Sequence, residues 1–458
     1  MPDYYSEPFL NLAGLTHKSA LIAWGAFYFR VKNNESDFKL VDDDDLDHVH
    51  PPRHQTVGAR SEPYGKAKVE VMNLAGNVVA SGFTETANHC WISGLEPDTE
   101  YIYRVIVNDE EWANGNRRNW QRVGDKMGLG PKNRTYQNRF RTHPDPTKPS
   151  TGPFTFAVIG DFGVGIKKDT DRGQRQIAEA LEKAVDEFNV RLILTTGDNI
   201  YRNGDEDDDW YFTYYQPYRY VINRIPVYPT IGNHDAGETE SRDDREQLID
   251  NFYINERIAG EEAAGRASID PGLFYRFRYT SDVDFICIDT SKEPDVFKHR
   301  FFDHPKHQEF LKSALPTATA GQNPTWRIPF CHHPPFCAGP EHHNTEEMSE
   351  IVKQFEKAGV RVVLSGHEHQ FQHSHANNID YLVTGGAGKL RTDTPNKFTE
   401  AHTVSWSASY HFLLVTVDGK RMTVRAIGQL GNEGKLVDIA RKAPNNTAVS
   451  KEIIINLP

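Results

Sequence analysis

Between residues 19 and 31 the chain reads SALIAWGAFYFRV, a long apolar run. It predicts a buried strand. KVEVMNLAGNVVASGF (68–83) alternates apolar and polar positions and breaks at Gly76-Asn77, a hairpin signature. In ISGLEPDTEYIYRVIV (92–107) a turn leads into a strand with Tyr101, Tyr103, Val105 and Val107 on one face. RFRT (139–142) closes the series. Short strands in succession predict an N-terminal β-sandwich.

The segment THPDPTKPSTGP (142–153) holds four prolines and little apolar content. It reads as a linker, dividing the chain into 1–147 and 148–458. Beyond it the pattern changes. Apolar runs of strand length, FTFAVI (154–159), RLILTT (191–196), PVYPTIG (226–232), DFICID (284–289), PFCHH (329–333) and VRVVLSG (360–366), are separated by helical spacings. Ile177, Leu181, Ala184 and Phe188 predict a helix over 171–188. Met348, Ile351, Val352 and Phe355 predict another over 345–358, with Asn344 and Glu347 as a capping box and Gly359 as its end. HFLLVTVDGKRMTVRAIGQ (411–429) predicts a hairpin turning at Asp418-Gly419. The fold class is therefore multidomain: a β-sandwich, then a layered α/β domain whose strand ends form a ligand-bearing edge.

Composition narrows the function. The 458 residues carry 52 Lys+Arg against 64 Asp+Glu, a net charge of −12. Basic residues are not clustered, which argues against a grip on nucleic acid. No apolar run is long enough to span a membrane. The start, MPDYYSEPFL, has neither a basic nor an apolar leader segment. The cytoplasm is the favoured setting, with a secreted or periplasmic one if the sequence is trimmed. The four cysteines read as free thiols rather than a disulfide scaffold. The acidic runs Asp42–Asp45 and Asp205–Asp209 read as solvated loops. Nothing in the pattern sets an oligomeric state.

Five segments each place metal-competent side chains just after an apolar strand. They are Gly160-Asp161-Phe162-Gly163, Gly197-Asp198-Asn199-Ile200-Tyr201, Gly232-Asn233-His234-Asp235, His332-His333-Pro334 and Gly366-His367-Glu368-His369. Any one alone is weak, but five in order at strand ends point to a two-metal site. Two cations about 3.5–4 Å apart need a shared ligand between them. Imidazole with carboxylate suits iron, zinc and manganese. The glycines are expected to permit positive φ and a close backbone approach.

These segments resemble the calcineurin-like metallophosphoesterases and, among them, the purple acid phosphatases. Tyr201, three residues after Asp198, separates that group from the rest. YRFRYTSDVDFICIDTS (275–291) and YLVTGGAG (381–388) also look like its core segments. GLEPDTEYIYRV resembles the fibronectin type III pattern, in which such a tyrosine anchors a corner. The resemblance implies that Asp161, Tyr201 and His369 hold Fe(III). It implies that Asn233, His332 and His367 hold Fe(II), Zn(II) or Mn(II), and that Asp198 bridges the two ions. His234 would bond a phosphate oxygen or the leaving group. His342 or His343 matches a histidine that backs the site, with the register open by one. Pro329 stands where the family has an aliphatic residue, so the end of that strand is expected to be irregular.

The implied reaction is hydrolysis of a small phosphomonoester, with metal-bound hydroxide attacking phosphorus. His234 or His342, protonated, would supply the leaving-group proton. The alternative is a phosphodiesterase with the same site, for example on cyclic nucleotides. A non-catalytic binding module is disfavoured because all seven ligand positions hold competent residues. A serine hydrolase is disfavoured because G-x-S-x-G does not occur.

Overall fold

The structure is a computed structural model and describes residues 4–32, 37–41, 58–113, 136–165, 172–201, 207–238, 245–263, 273–293, 299–319 and 325–458. The run Asp42–Asp45 lies outside the described residues.

The chain opens with β1 (Tyr4–Leu15) and β2 (Ser19–Lys32), paired antiparallel. β3 (Asp37–Leu40) and, later, β6 (His89–Ser93) both pair with β2. A second sheet is built from β4 (Ala67–Met72), β5 (Val78–Thr84), β7 (Glu100–Val107), β8 (Glu110–Glu111) and β9 (Arg139–Arg141). Along β7 the side chains alternate as expected, with Tyr101, Tyr103, Val105 and Val107 buried and Ile102 exposed. Leu10, Leu12 and Trp24 of one sheet share a core with Val69, Val71 and Tyr103 of the other. The Tyr101 hydroxyl accepts a hydrogen bond from the Glu96 amide at 2.9 Å, tying the turn to its strand.

After residue 153 come two seven-stranded sheets. Their strands are β10 (Phe154–Ile159), β11 (Val190–Thr195), β12 (Val227–Tyr228), β13 (Tyr275–Thr280), β14 (Val283–Cys287), β15 (Trp326–Phe330), β16 (Val362–Ser365), β17 (Phe371–Ala376), β18 (Ile379–Thr384), β19 (Thr403–Ser407), β20 (Phe412–Asp418), β21 (Arg421–Leu430), β22 (Leu436–Asp438) and β23 (Glu452–Asn456). One sheet runs β12-β11-β10-β20-β21-β22, with β23 also on β21; the other runs β13-β14-β15-β16-β18-β17-β19. β10, β11 and β12 are parallel, as are β14, β15, β16 and β18. Phe156, Val158 and Leu194 meet Phe285, Ile328 and Leu364 between the sheets. Helix α1 (Arg172–Phe188) covers the first sheet, its Ile177, Leu181 and Ala184 packing with Leu414 and Ile427. Helices α2 (Pro305–Ala314) and α3 (Ser349–Lys357) cover the second through Leu311, Ile351 and Phe355. The order of layers is helix, sheet, sheet, helix.

The structure adds detail to these expectations and corrects some of them. Segment 142–153 is tied to the second half: His143 Nε2 lies 2.8 Å from the Tyr228 hydroxyl, and Ser150 N donates to Asp282 Oδ1 at 2.9 Å. Helix α3 starts at Ser349 after a 3₁₀ turn, and its N-cap, Met348, makes no side-chain cap. Asn344 does not cap it, because its Oδ1 accepts from the Cys337 amide at 2.7 Å. The second acidic run does not end as a loop. Asp207–Trp210 is helical, and Asp209 is buried. Pro329 stays inside β15, paired in register with Ile286. It has no N–H to donate, and pairing of β15 with β16 is reduced to Phe330–Leu364. All four cysteines are free thiols.

The strongest departure is the joint between the two halves. Tyr211–Tyr215 form a π-helical turn inside a longer helical stretch. Phe9 and Phe27 pack on its rings, with 4.3 Å between the Phe9 and Tyr215 centroids. Glu7 of β1 forms a buried ion pair with Arg219 and accepts from the Tyr211 hydroxyl at 2.6 Å. Residues of both halves therefore meet in one cluster, beside the separate core between the N-terminal sheets.

Candidate metal centre

Four of the five segments begin within two residues of a strand end; the Gly232–Asp235 segment starts four residues after β12 ends at Tyr228. Asp161, Asp198 and His367 themselves occupy left-handed backbone, with φ of 55, 49 and 72°. Such residues cluster where surrounding structure holds them for function. Of the glycines preceding the ligand positions, Gly197 has positive φ (87°), whereas Gly160, Gly232 and Gly366 do not. Space is what the others provide. A Cβ on Gly366 would lie 2.5 Å from Asp161 Oδ2 and 2.6 Å from the Thr196 carbonyl.

The turns bring all seven expected ligand side chains together. In one group the Tyr201 hydroxyl is 3.0 Å from both Asp161 Oδ1 and His369 Nε2. His369 Nε2 is 3.6 Å from Asp161 Oδ1. In the other group His332 Nε2 lies 2.9 Å from Asn233 Oδ1 and 3.1 Å from His367 Nδ1. Asp198 Oδ1 is 3.4 Å from His332 Nε2, and a donor oxygen of Asp198 lies within 4.8 Å of one of Asp161, so this carboxylate stands between the two groups. Donor atoms of Asp161, Asp198 and His332 all fall within 4.8 Å of one another, as do those of His332, His333 and His367.

The donor set fits cations. His332 Nδ1 must donate to the Thr196 carbonyl at 2.8 Å, which turns the Nε2 lone pair toward Asn233 Oδ1, itself an acceptor. Burial pulls His332 down to about 4 and, with the nearby Arg391 charge, His369 to about 2. Both rings are neutral at pH 7, the form that binds metal. Burial and then the charge of Asp198 push the Asp161 carboxyl well above its usual range, and burial also raises Asp198. A cation reverses that logic by favouring the carboxylates.

The histidines expected to assist catalysis separate. His234 is half-buried, donates its amide to Asp198 Oδ1 at 3.1 Å and sets its ring 4.7 Å from that of Tyr201. His342 stacks on His367 at 3.7 Å between centroids. His343 is exposed and bridges to Ala338 instead. Of the two, His342 is the one set against the donor group.

Other residues came without a role from the sequence. Asp235 is buried and accepts from Asn199 Nδ2, the Gly232 amide and the Ile200 amide at 2.7–3.0 Å. Burial, with the charge of Asp198 added, pushes Asp235 up to about 7. Glu368 is fully buried. It accepts from the His369 and His342 amides and from Arg391 at 3.1 Å. Lys389 sets its Nζ 3.9 Å from the Tyr201 ring centroid. Only Asp235 and Glu368 left a trace, as acidic residues inside the ligand segments.

Comparison with known proteins agrees with this geometry. Residues 154–371 match the family model of the calcineurin-like phosphoesterases. Purple acid phosphatase 17 of Arabidopsis thaliana is 25% identical over 256 residues, 53% of this chain and 70% of the relative. Tartrate-resistant acid phosphatase type 5 of Oryctolagus cuniculus is 23% identical over 309 residues, 60% of this chain and 87% of the relative. Among solved structures, the purple acid phosphatase PPD1 from yellow lupin aligns with a TM-score of 0.59 at 12% identity, over 96% of this chain and 74% of that one. PhoD aligns with a TM-score of 0.60 at 13% identity, over 97% of this chain and 92% of that one. These two likenesses speak for the fold.

Proposed function

We propose that this metal-dependent phosphoric ester hydrolase cleaves phosphomonoesters at a pair of metal ions held by Asp161, Asp198, Tyr201, Asn233, His332, His367 and His369. The observation that supports the reading is Asp198, one buried carboxylate placed between the two donor groups, 3.4 Å from His332 and within 4.8 Å of Asp161. Tyr201, Asp161 and His369 form the harder donor group, suited to Fe(III). Asn233, His332 and His367 suit Fe(II), Zn(II) or Mn(II). Bound there, the cations supply a nucleophile from water near neutral pH and offset charge on the phosphoryl oxygens.

The chain's own residues do the rest. The Thr196 carbonyl fixes the His332 tautomer, and Asp198 is oriented by the His234 amide. The new P–O bond forms as the ester P–O bond breaks. The leaving oxygen takes a proton from His342 or His234, both at the edge of the donor set, in the imidazolium form; burial disfavours that form in both rings, so this help is lost as pH rises.

We read the two facing N-terminal sheets as a fibronectin type III-like sandwich, supported by the Tyr101 hydroxyl bond. It serves as a support wall for the hydrolase region.

The test is hydrolysis of an aryl phosphomonoester beside the matching diester, after loading iron with zinc or manganese. Asp198→Ala runs alongside with metal analysis. Expected are monoester preference in the native chain, and loss of both metals and activity in the variant. Diester preference would move the assignment to phosphodiesters. Silence on both esters with two metals bound would overturn hydrolysis at this site.

A further inference from the structure

Basic side chains around the centre differ in what they are bonded to. Arg391 is spent on Glu341 at 2.7 Å and Glu368 at 3.1 Å. Arg300 lies 3.5 Å from Glu347 and donates to the Thr290 carbonyl. Lys389 is different: among the described residues it makes no ion pair. Its position is nevertheless fixed. The amides of Gly388 and Lys389 both donate to the Asp161 carbonyl, at 3.2 and 3.0 Å. The half-buried side chain then runs to the Tyr201 ring, where Nζ rests 3.9 Å from the centroid. From there its charge acts on His234, His369, Asp161 and Asp198.

A phosphomonoester dianion and a phosphodiester monoanion differ by one negative charge and one free oxygen. An ammonium beside the centre, without an ion pair among the described residues, meets that difference. We propose that Lys389 is a specificity-determining residue that recognises the extra charge of a dianionic phosphoryl group. This inference rests on the reading of the site as a phosphomonoesterase centre.

The experiment titrates inorganic phosphate and dimethyl phosphate, by calorimetry, into the metal-loaded full chain, its Lys389→Met variant and its Lys389→Arg variant. Metal content is measured in each. With metals equal, phosphate binding weakens tenfold or more in Lys389→Met, while dimethyl phosphate binding changes less than threefold. Lys389→Arg stays within threefold of the native chain on phosphate. Equal weakening of both anions overturns the inference and makes Lys389 a support for Tyr201. No change in either also overturns it, as does metal loss confined to Lys389→Met. Ester hydrolysis by the native chain is measured in parallel. Failure there, with the phosphate result intact, refutes the catalytic reading and leaves Lys389 as an anion-recognition residue.

Discussion

Tyr201 is the side chain on which the chemistry of the harder donor group turns. Its hydroxyl faces Asp161 and His369, and burial, then the charges of Asp161 and Asp198, hold the phenol well above its ordinary range. A bound trivalent ion would favour the phenolate instead. Tyr201→Phe in iron-loaded protein is therefore expected to lose visible absorption. The metals of the other group, which Tyr201 does not touch, should stay; a visible band surviving in the variant would remove Tyr201 from the ligand set. At this scale the sequence was highly legible. The five segments were readable because metal-competent side chains follow apolar runs; which seven of them are donors was implied by the family resemblance, and the fold brings those seven together. Lys389 was not readable, because one lysine after a glycine run carries no signal until Tyr201 is placed beneath it. His342 and His343 could not be told apart, since a loop has no fixed period.

At the scale of the element, strand-end turns and their backing helices hold the donors still. Gly366→Ala pushes a methyl against Asp161 and the Thr196 carbonyl. Metal affinity is expected to fall about 10–100-fold, the range for residues that orient ligands, read by competition with a chelator. Retained affinity would mean that the turn yields. On helix α2, His307 is buried and its Nε2 accepts from the Asp289 amide at 3.3 Å. Burial draws its pKa from 6.5 down to about 3. Between those values the unfolded chain binds a proton that the folded chain refuses, so stability falls as pH drops through that window. His307→Gln retains an acceptor without the titration, and its melting temperature should lose fewer degrees on acidification; an unchanged slope would refute this. Strand runs and hairpins were legible from apolar period alone. The start of α3 was not, because Asn344 had a competing partner in Cys337 that only the folded loop supplies.

Across the whole molecule, the two-part reading left out the joint between the parts, where Glu7 and Phe27 meet Arg219 and Tyr211. Proline content marked 142–153 as a boundary, yet His143 and Ser150 pin it down. The aromatic stretch around Tyr211 gave no period that would assign it a partner in the first half. Phe27→Ala opens space against Tyr211 and Tyr215. It should cost about 3–5 kcal/mol, as aromatic deletions in cores do. The loss is expected in a single unfolding transition seen alike by probes of either half. Two separate transitions would restore independent domains.

The pairing of Glu7 with Arg219 also has a consequence during synthesis. The two lie 212 residues apart. A ribosome adding about 5–20 residues per second takes roughly 10–40 s to cover that span. Throughout it the nascent first half carries a carboxylate and the rings of Phe9 and Phe27 with nothing to cover them. The rate of translation therefore sets how long that face stays open to other nascent chains.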